Sequence, residues 1–160
     1  MQPRGESQTV NMLKTLFLIC LFLALSAGVV WAGKPMNDMD LGKYRWKNRL
    51  LFLFSPSPEV PAFQTLNGEL DRNLDGVRER EMLVFRVLEQ GPSSRVSQEM
   101  TPPETKTLRQ HFGITTGAFT VVLVGKDGTV KLKRQGPTAL KDIFGLIDSM
   151  PMRQREMQGK

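Results

Sequence analysis

Residues Arg49-Leu50-Leu51-Phe52-Leu53-Phe54-Ser55-Pro56-Ser57-Pro58-Glu59-Val60-Pro61-Ala62-Phe63 decide how this chain folds. Leu50 to Phe54 is continuously apolar, the pattern of a strand covered on both faces. Two serine-proline pairs then end the strand. Ser57 followed by Pro58 suits the cap and first turn of a helix, so the stretch predicts a buried strand running into a helix start at Ser57. A helix N-terminus exposes unpaired N–H groups and a positive dipole end, which stabilise a thiolate or hold an anion. Serine gains little there, because a dipole effect of roughly 1 kcal/mol does not ionise a hydroxyl near neutral pH.

Working outward, strand and helix signals alternate. Phe63, Leu66, Leu70, Leu74 and Val77 recur at three- and four-residue steps and predict one helix with one buried stripe. Met82 to Leu88 predicts a second apolar strand, and Glu89 to Pro103 reads as a loop. A short helix through Leu108 and Phe112 stops at Gly113, a residue suited to a left-handed helix end. Phe119 to Val124 and Thr129 to Lys133 flank Lys126-Asp127-Gly128, a strong hairpin signal. Leu140, Ile143, Phe144 and Ile147 make a last helical stripe, opened by Pro137-Thr138 and closed before Pro151. A helical crossover makes the first two strands parallel, and a hairpin makes the last two antiparallel. The order predicts an α/β fold of thioredoxin-like plan, a mixed central sheet of about four strands with helices on both faces.

A thioredoxin keeps two cysteines at the first strand-helix junction, where this chain has Ser55-Pro56-Ser57-Pro58. It also keeps a cis-proline before the third strand, where this chain has Thr115-Thr116-Gly117-Ala118. Both halves of the redox site are missing. What remains is an edge at which Ser55, Ser57, Thr116 and Gly117 are the candidate binding residues, with no catalytic residue, cofactor or metal assigned.

Lys14 precedes an apolar run from Leu16 to Val30, and Val30-Trp31-Ala32 before Gly33 suits signal-peptidase cleavage. Residues 1–32 are therefore expected to be a signal peptide, whether translation starts at Met1 or at Met12; an uncleaved anchor is the alternative. Residues 33–40 read as a flexible lead-in, 41–157 as the domain and 158–160 as a tail. The only cysteine, Cys20, leaves with the leader, so the 128 residues after Ala32 exclude disulfides and thiol catalysis. Removing Arg4, Lys14 and Glu6 leaves 20 Lys+Arg against 15 Asp+Glu, a charge of about +5. That excess points to anionic envelope surfaces or acidic partners. No basic run is interleaved with aromatics, which argues against nucleic acid.

Other motifs carry less. Asp71-Arg72-Asn73-Leu74-Asp75-Gly76 matches the first half of a calcium loop, but position twelve is Met82 where a bidentate glutamate is needed. His111, the only histidine, reads as a partly exposed helix residue; no nucleophile-elbow pattern surrounds Ser55 or Ser57 to complete a Ser-His-acid site. Lys131 and Lys133 protect an expected edge strand from sheet-to-sheet pairing. Arg153, Arg155 and Lys160 read as a basic tail available to an anionic partner.

Three stretches, Tyr44 to Phe54, Leu123 to Gly128 and Ile147 to Arg153, resemble a bacterial domain-of-unknown-function family of secreted thioredoxin-like proteins. A related domain occurs in animal matrix proteins, the sushi-repeat-containing X-linked protein and its down-regulated-by-oncogenes relatives. The resemblance spans about Leu41 to Met157. It implies the thioredoxin-like fold and a secreted or periplasmic location, and brings no catalytic residues. Two function classes follow. One is a non-redox binding or interaction module of the periplasm or cell surface, whose partner is a protein, peptide or anionic envelope component. The other is an enzyme of unassigned reaction using the Ser57 helix start as an anion or substrate site.

Overall fold

A computed structural model describes residues 40–159, and the leader read in residues 1–32 lies outside them. Strands β1 (Arg49–Ser55), β2 (Met82–Leu88), β3 (Ser93–Arg95), β4 (Gln98–Met100), β5 (Thr120–Val124) and β6 (Val130–Gln135) form one sheet in the order β4-β3-β2-β1-β5-β6. β1 is central, parallel to β2 and antiparallel to β5. All its seven residues are buried. Its alternating side chains seed two cores. Leu51 and Leu53 pack with Phe63, Leu66, Ile143 and Ile147, while Leu50, Phe52 and Phe54 pack with Phe85, Leu108 and Phe112.

The first core is covered by α1 (Pro61–Arg72), α2 (Leu74–Glu79) and α4 (Leu140–Asp148), and the second by α3 (Pro102–His111). The single helix expected from Phe63 to Val77 is two. At Asn73 the backbone leaves helical geometry (φ −121°, ψ 39°), so Leu74 turns away from the stripe and is 50% exposed. The asparagine amide donates to the Glu69 carbonyl at 2.7 Å, and local hydrogen bonding of this kind competes with a continuous helix.

The sheet has six strands where about four were expected. β3 and β4 lie inside the stretch read as a loop, because each is three residues long and mostly polar and so has no apolar alternation to read. The buried Ser93 hydroxyl both accepts from the Leu88 N–H (2.8 Å) and donates to the Leu88 carbonyl, closing the turn into β3. Gly113 (φ +57°) and Gly128 (φ +81°) hold the left-handed turns their positions suggested. β6 is an edge strand, and Lys133 reaches the Phe112 and Gly113 carbonyls at the end of α3.

The basic tail is a helix, α5 (Pro151–Gln158). Arg153 is 1% exposed and joined to Glu79 (2.7 Å) and Asp148 (3.3 Å), so it is a structural cation and not one available to a partner. Three apolar residues in the eight of α5 leave no stripe strong enough to read as a packed helix; charge pairing places it. Lys160 lies outside the described residues.

Candidate functional site

At the carboxyl end of β1 the chain turns through Ser55-Pro56-Ser57-Pro58. Ser55 is wholly buried and its hydroxyl donates to the Ser57 carbonyl at 2.8 Å. Ser57 does not cap the helix. α1 starts at Pro61 with Val60 as its cap residue, and the Ser57 hydroxyl only accepts a 3.3 Å bond from the Glu59 N–H. Serine and proline fit a tight polar turn as well as a helix start. The turn prevails because the second Pro-rich step, Val60-Pro61, supplies its own helix entry. Each serine oxygen is thus occupied by local backbone, and neither is paired with a base.

Two residues not singled out by sequence reasoning organise this edge. Arg109 of α3 donates from Nη2 to the carbonyls of Ser55 and Val87, both at 3.1 Å, and from Nη1 to Glu89 at 3.0 Å. The Glu89 carboxylate also accepts from the Gly117 N–H at 3.0 Å. Burial lowers the Arg109 pKa and Glu89 offsets part of that effect, so the guanidinium stays charged and paired. Through these contacts Ser55 and Gly117, at opposite sides of the edge, are held by one arginine-glutamate pair. Thr116 beside them is exposed. Arg109 stands three residues before Phe112, on the face that packs on β1, and this placement of a cation in an apolar helix face is the signal available in the sequence.

Gly117 has φ +79°, and the space a Cβ would occupy has no neighbouring atom within 4 Å, so glycine is required there by backbone conformation and not by crowding. All described peptide bonds in the Thr115-Ala118 loop are trans. Beside the loop an open groove of about 450 Å³ runs between Lys106, Arg109 and Gln110 of α3 and Thr116. Arg86 does not face this groove; it ties β2 to α1 through Asn67 and Asp71 (2.8 Å), which also accounts for the first acidic residue of the calcium-like stretch. His111 packs edge-on against Phe112 and borders a separate cavity of about 340 Å³ with Tyr44 and Asn48. Among the described residues no hydrogen bond joins it to either serine. A group of three or more histidine, cysteine or acidic side chains able to hold a metal is absent among the described residues.

The fold is shared with peroxiredoxins. A Plasmodium vivax 2-Cys peroxiredoxin superposes with a TM-score of 0.55 at 16% identity, covering 73% of this chain and 84% of that one. A Plasmodium yoelii thioredoxin peroxidase I gives 0.54 at 19%, covering 75% and 81%. At such identities the likeness establishes the thioredoxin-like fold alone. Among sequences, Sushi repeat-containing protein SRPX2 of Xenopus laevis is 31% identical over 143 residues, 79% of this chain and 31% of that protein. Coiled-coil domain-containing protein 80 of Danio rerio is 31% identical over 141 residues, 78% of this chain and 16% of that protein. The chain thus spans less than a third of the length of either relative. Residues 40–156 match the profile of one family across nearly all the described structure, and the chain belongs to that family, Domain of unknown function (DUF4174).

Proposed function

We propose that this chain is a non-redox binding module that works outside the cytoplasm, in the periplasm or at the cell surface. Its recognition edge is formed by the Ser55-Pro58 turn, the Thr115-Ala118 loop and the Lys106-Arg109 side of the groove. The observation that carries this reading is the Arg109–Glu89 pair, which holds Ser55 on one side and Gly117 on the other. An edge fixed in advance loses less entropy on binding. Lys106 and the charge excess after the leader favour an acidic protein or peptide segment, or an anionic envelope component. The extracytoplasmic location rests on Lys14, the Leu16-Val30 run and Val30-Trp31-Ala32. Among the described residues no helix is long and apolar enough to cross a membrane. The enzyme reading loses its premise, since α1 starts at Pro61 and offers Ser57 no helix N-terminus.

Displayed random peptides selected on the full chain carrying Cys20→Ser test the edge. Lys106→Glu combined with Thr116→Trp lowers the affinity of selected peptides at least about tenfold, a loss of about 1.4 kcal/mol, while Lys141→Glu on α4 leaves it unchanged. Peptides indifferent to the first pair of changes place recognition elsewhere. The same protein reduces insulin disulfides at the uncatalysed rate, because it has no thiolate to attack them.

A further inference from the structure

The end of the sheet opposite the Ser55 junction holds a second cavity, of about 370 Å³, between the start of β1, the β5-β6 turn and the α4-α5 corner. Its volume falls in the range of small-molecule sites. Its walls divide by chemistry. Leu146, Met150 and Met152 line one part, and Arg49, Lys126 and Arg155 another.

Most of the charge here is matched. Arg49 forms a two-pronged pair with Glu156 (3.2 Å to each oxygen), and Lys126 bridges Glu156 and Glu81. Lys131, also on the wall, pairs with Asp127 at 2.7 Å. Arg155 is the exception. Among the described residues its guanidinium meets only the Pro151 carbonyl at 3.4 Å, leaving one cation without an acidic partner at the mouth. Four basic side chains against Glu156, Glu81 and Asp127 leave a single positive charge.

Arg49 on the cavity wall, and two residues tied to Lys126 beside it, have unusual local features. Arg49 is 1% exposed, yet among the described residues its Nε, like that of Arg80, has no hydrogen-bond partner, a condition that is uncommon for buried polar atoms. Trp46 (φ 65°) and Glu81 (φ 45°) hold left-handed backbone, and both are tied to Lys126, by Trp46 N–H to its carbonyl (2.6 Å) and by its ammonium to Glu81. Conformations of this kind persist where surroundings over-determine them, and Lys126, which ties both here, lies on the cavity wall.

We infer that this cavity binds a small monoanionic amphiphile, a carboxylate on a short apolar chain, with the carboxylate at Arg155 and the chain against Leu146, Met150 and Met152. The single unmatched charge selects one anionic group, and the methionine-rich wall adapts to a flexible tail. This site is separate from the recognition edge and stands or falls without it.

Titration of the full chain, ¹³C-labelled at its methionine methyls, with octanoate below its micelle-forming concentration tests the assignment. Met150 and Met152 signals shift saturably, while Met82 and Met100, in the two cores, stay still. Octanol, with the tail but no charge, binds about fivefold more weakly, and Arg155→Gln weakens octanoate by about the same factor with an unchanged melting temperature. Equal affinity for octanoate and octanol, undiminished affinity in Arg155→Gln, or unmoved Met150 and Met152 overturns it. Shifts that spread equally to Met82 and Met100 mark detergent-like loosening and overturn it as well.

Discussion

The two ends of the central strand are both organised by arginine, in opposite ways. At the β1 start, Arg49 and Arg153 are each 1% exposed; Arg49 pairs with Glu156, and Arg153 pairs with Glu79, Asp148 and Glu156, across three segments distant in sequence. At the β1 end, Arg109 is only partly buried and spends two of its bonds on backbone carbonyls and one on Glu89. A fully buried guanidinium is costly to desolvate and stays only where several anions and carbonyls surround it. The first end therefore locks α5 onto the domain. The second end needs little more than the shape of one loop, and it leaves Thr116 and the groove open. The charge network that fixes α5 and the recognition edge we propose thereby lie at different ends of one strand, with the proposed carboxylate cavity beside the former.

The largest effect expected from this division is at Arg153. Arg153→Met removes a buried cation and leaves Glu79 and Asp148 with Arg80 alone, so the cost is expected at about 3 kcal/mol, the lower end of what breaking a buried pair costs; urea unfolding measures it. Burial would lower the Arg153 pKa, but the hydrogen bonds it donates to Glu79 and Asp148 outweigh that and raise it, so it stays charged and cannot relieve its site by deprotonating. Arg109→Met is expected to cost less, about 1–3 kcal/mol for the carbonyls and carboxylate left unpaired. Its distinctive consequence is local. Hydrogen exchange at the Gly117 amide accelerates as Glu89 loses the cation that positions it, while exchange in β1 and α5 changes only with global stability. Equal acceleration throughout the domain would erase the distinction between the two ends.

Acid sharpens the comparison further. Burial disfavours the Glu156 carboxylate, but bonds from Lys126 and Arg49 outweigh it and hold its pKa below the ordinary 4.5. Burial likewise opposes ionisation of Asp127, yet Lys131 and Thr129 bring its pKa down to about 2. Carboxylates with lowered folded pKa contribute stability above their unfolded values, and that contribution is lost as pH falls through the folded ones. Stability to urea is expected to be level near neutrality and to decline from about pH 4.5 toward about pH 2, with Glu156→Gln flattening the upper part of the decline. The smallest effect is at Ser57. Its hydroxyl accepts one long bond in a turn and caps no helix, so Ser57→Ala changes stability by less than about 0.5 kcal/mol, against the ~1 kcal/mol of a true cap.

The fold was legible where physics is local. Leu50 to Phe54 is apolar throughout because both faces of β1 are covered, and Asp127-Gly128 announces its hairpin because the turn needs a left-handed residue. Composition alone shows that residues 33–160 carry no thiol. The positions of Ser55 and Gly117 near one edge also followed from topology, since a right-handed crossover leaves few arrangements of these strands. Ser57 misled because serine and proline serve turns and helix caps alike, and only the backbone beyond Val60 separates the two. The short polar strands β3 and β4 escaped because hydrogen-bond pairing, not hydrophobic alternation, creates them.

The alternation of apolar strands and helices, the central place of β1 and the absence of cysteine from the β1–α1 junction were readable in the amino-acid order, for these depend on apolar periodicity, turn chemistry and residue identity. Tertiary structure alone decided which charges are buried. Arg153 meets Glu79 across 74 positions, and nothing in a local window distinguishes it from the exposed Arg155. A charge's role is set by the anions and carbonyls that replace its water, and those are brought together only when the chain is folded.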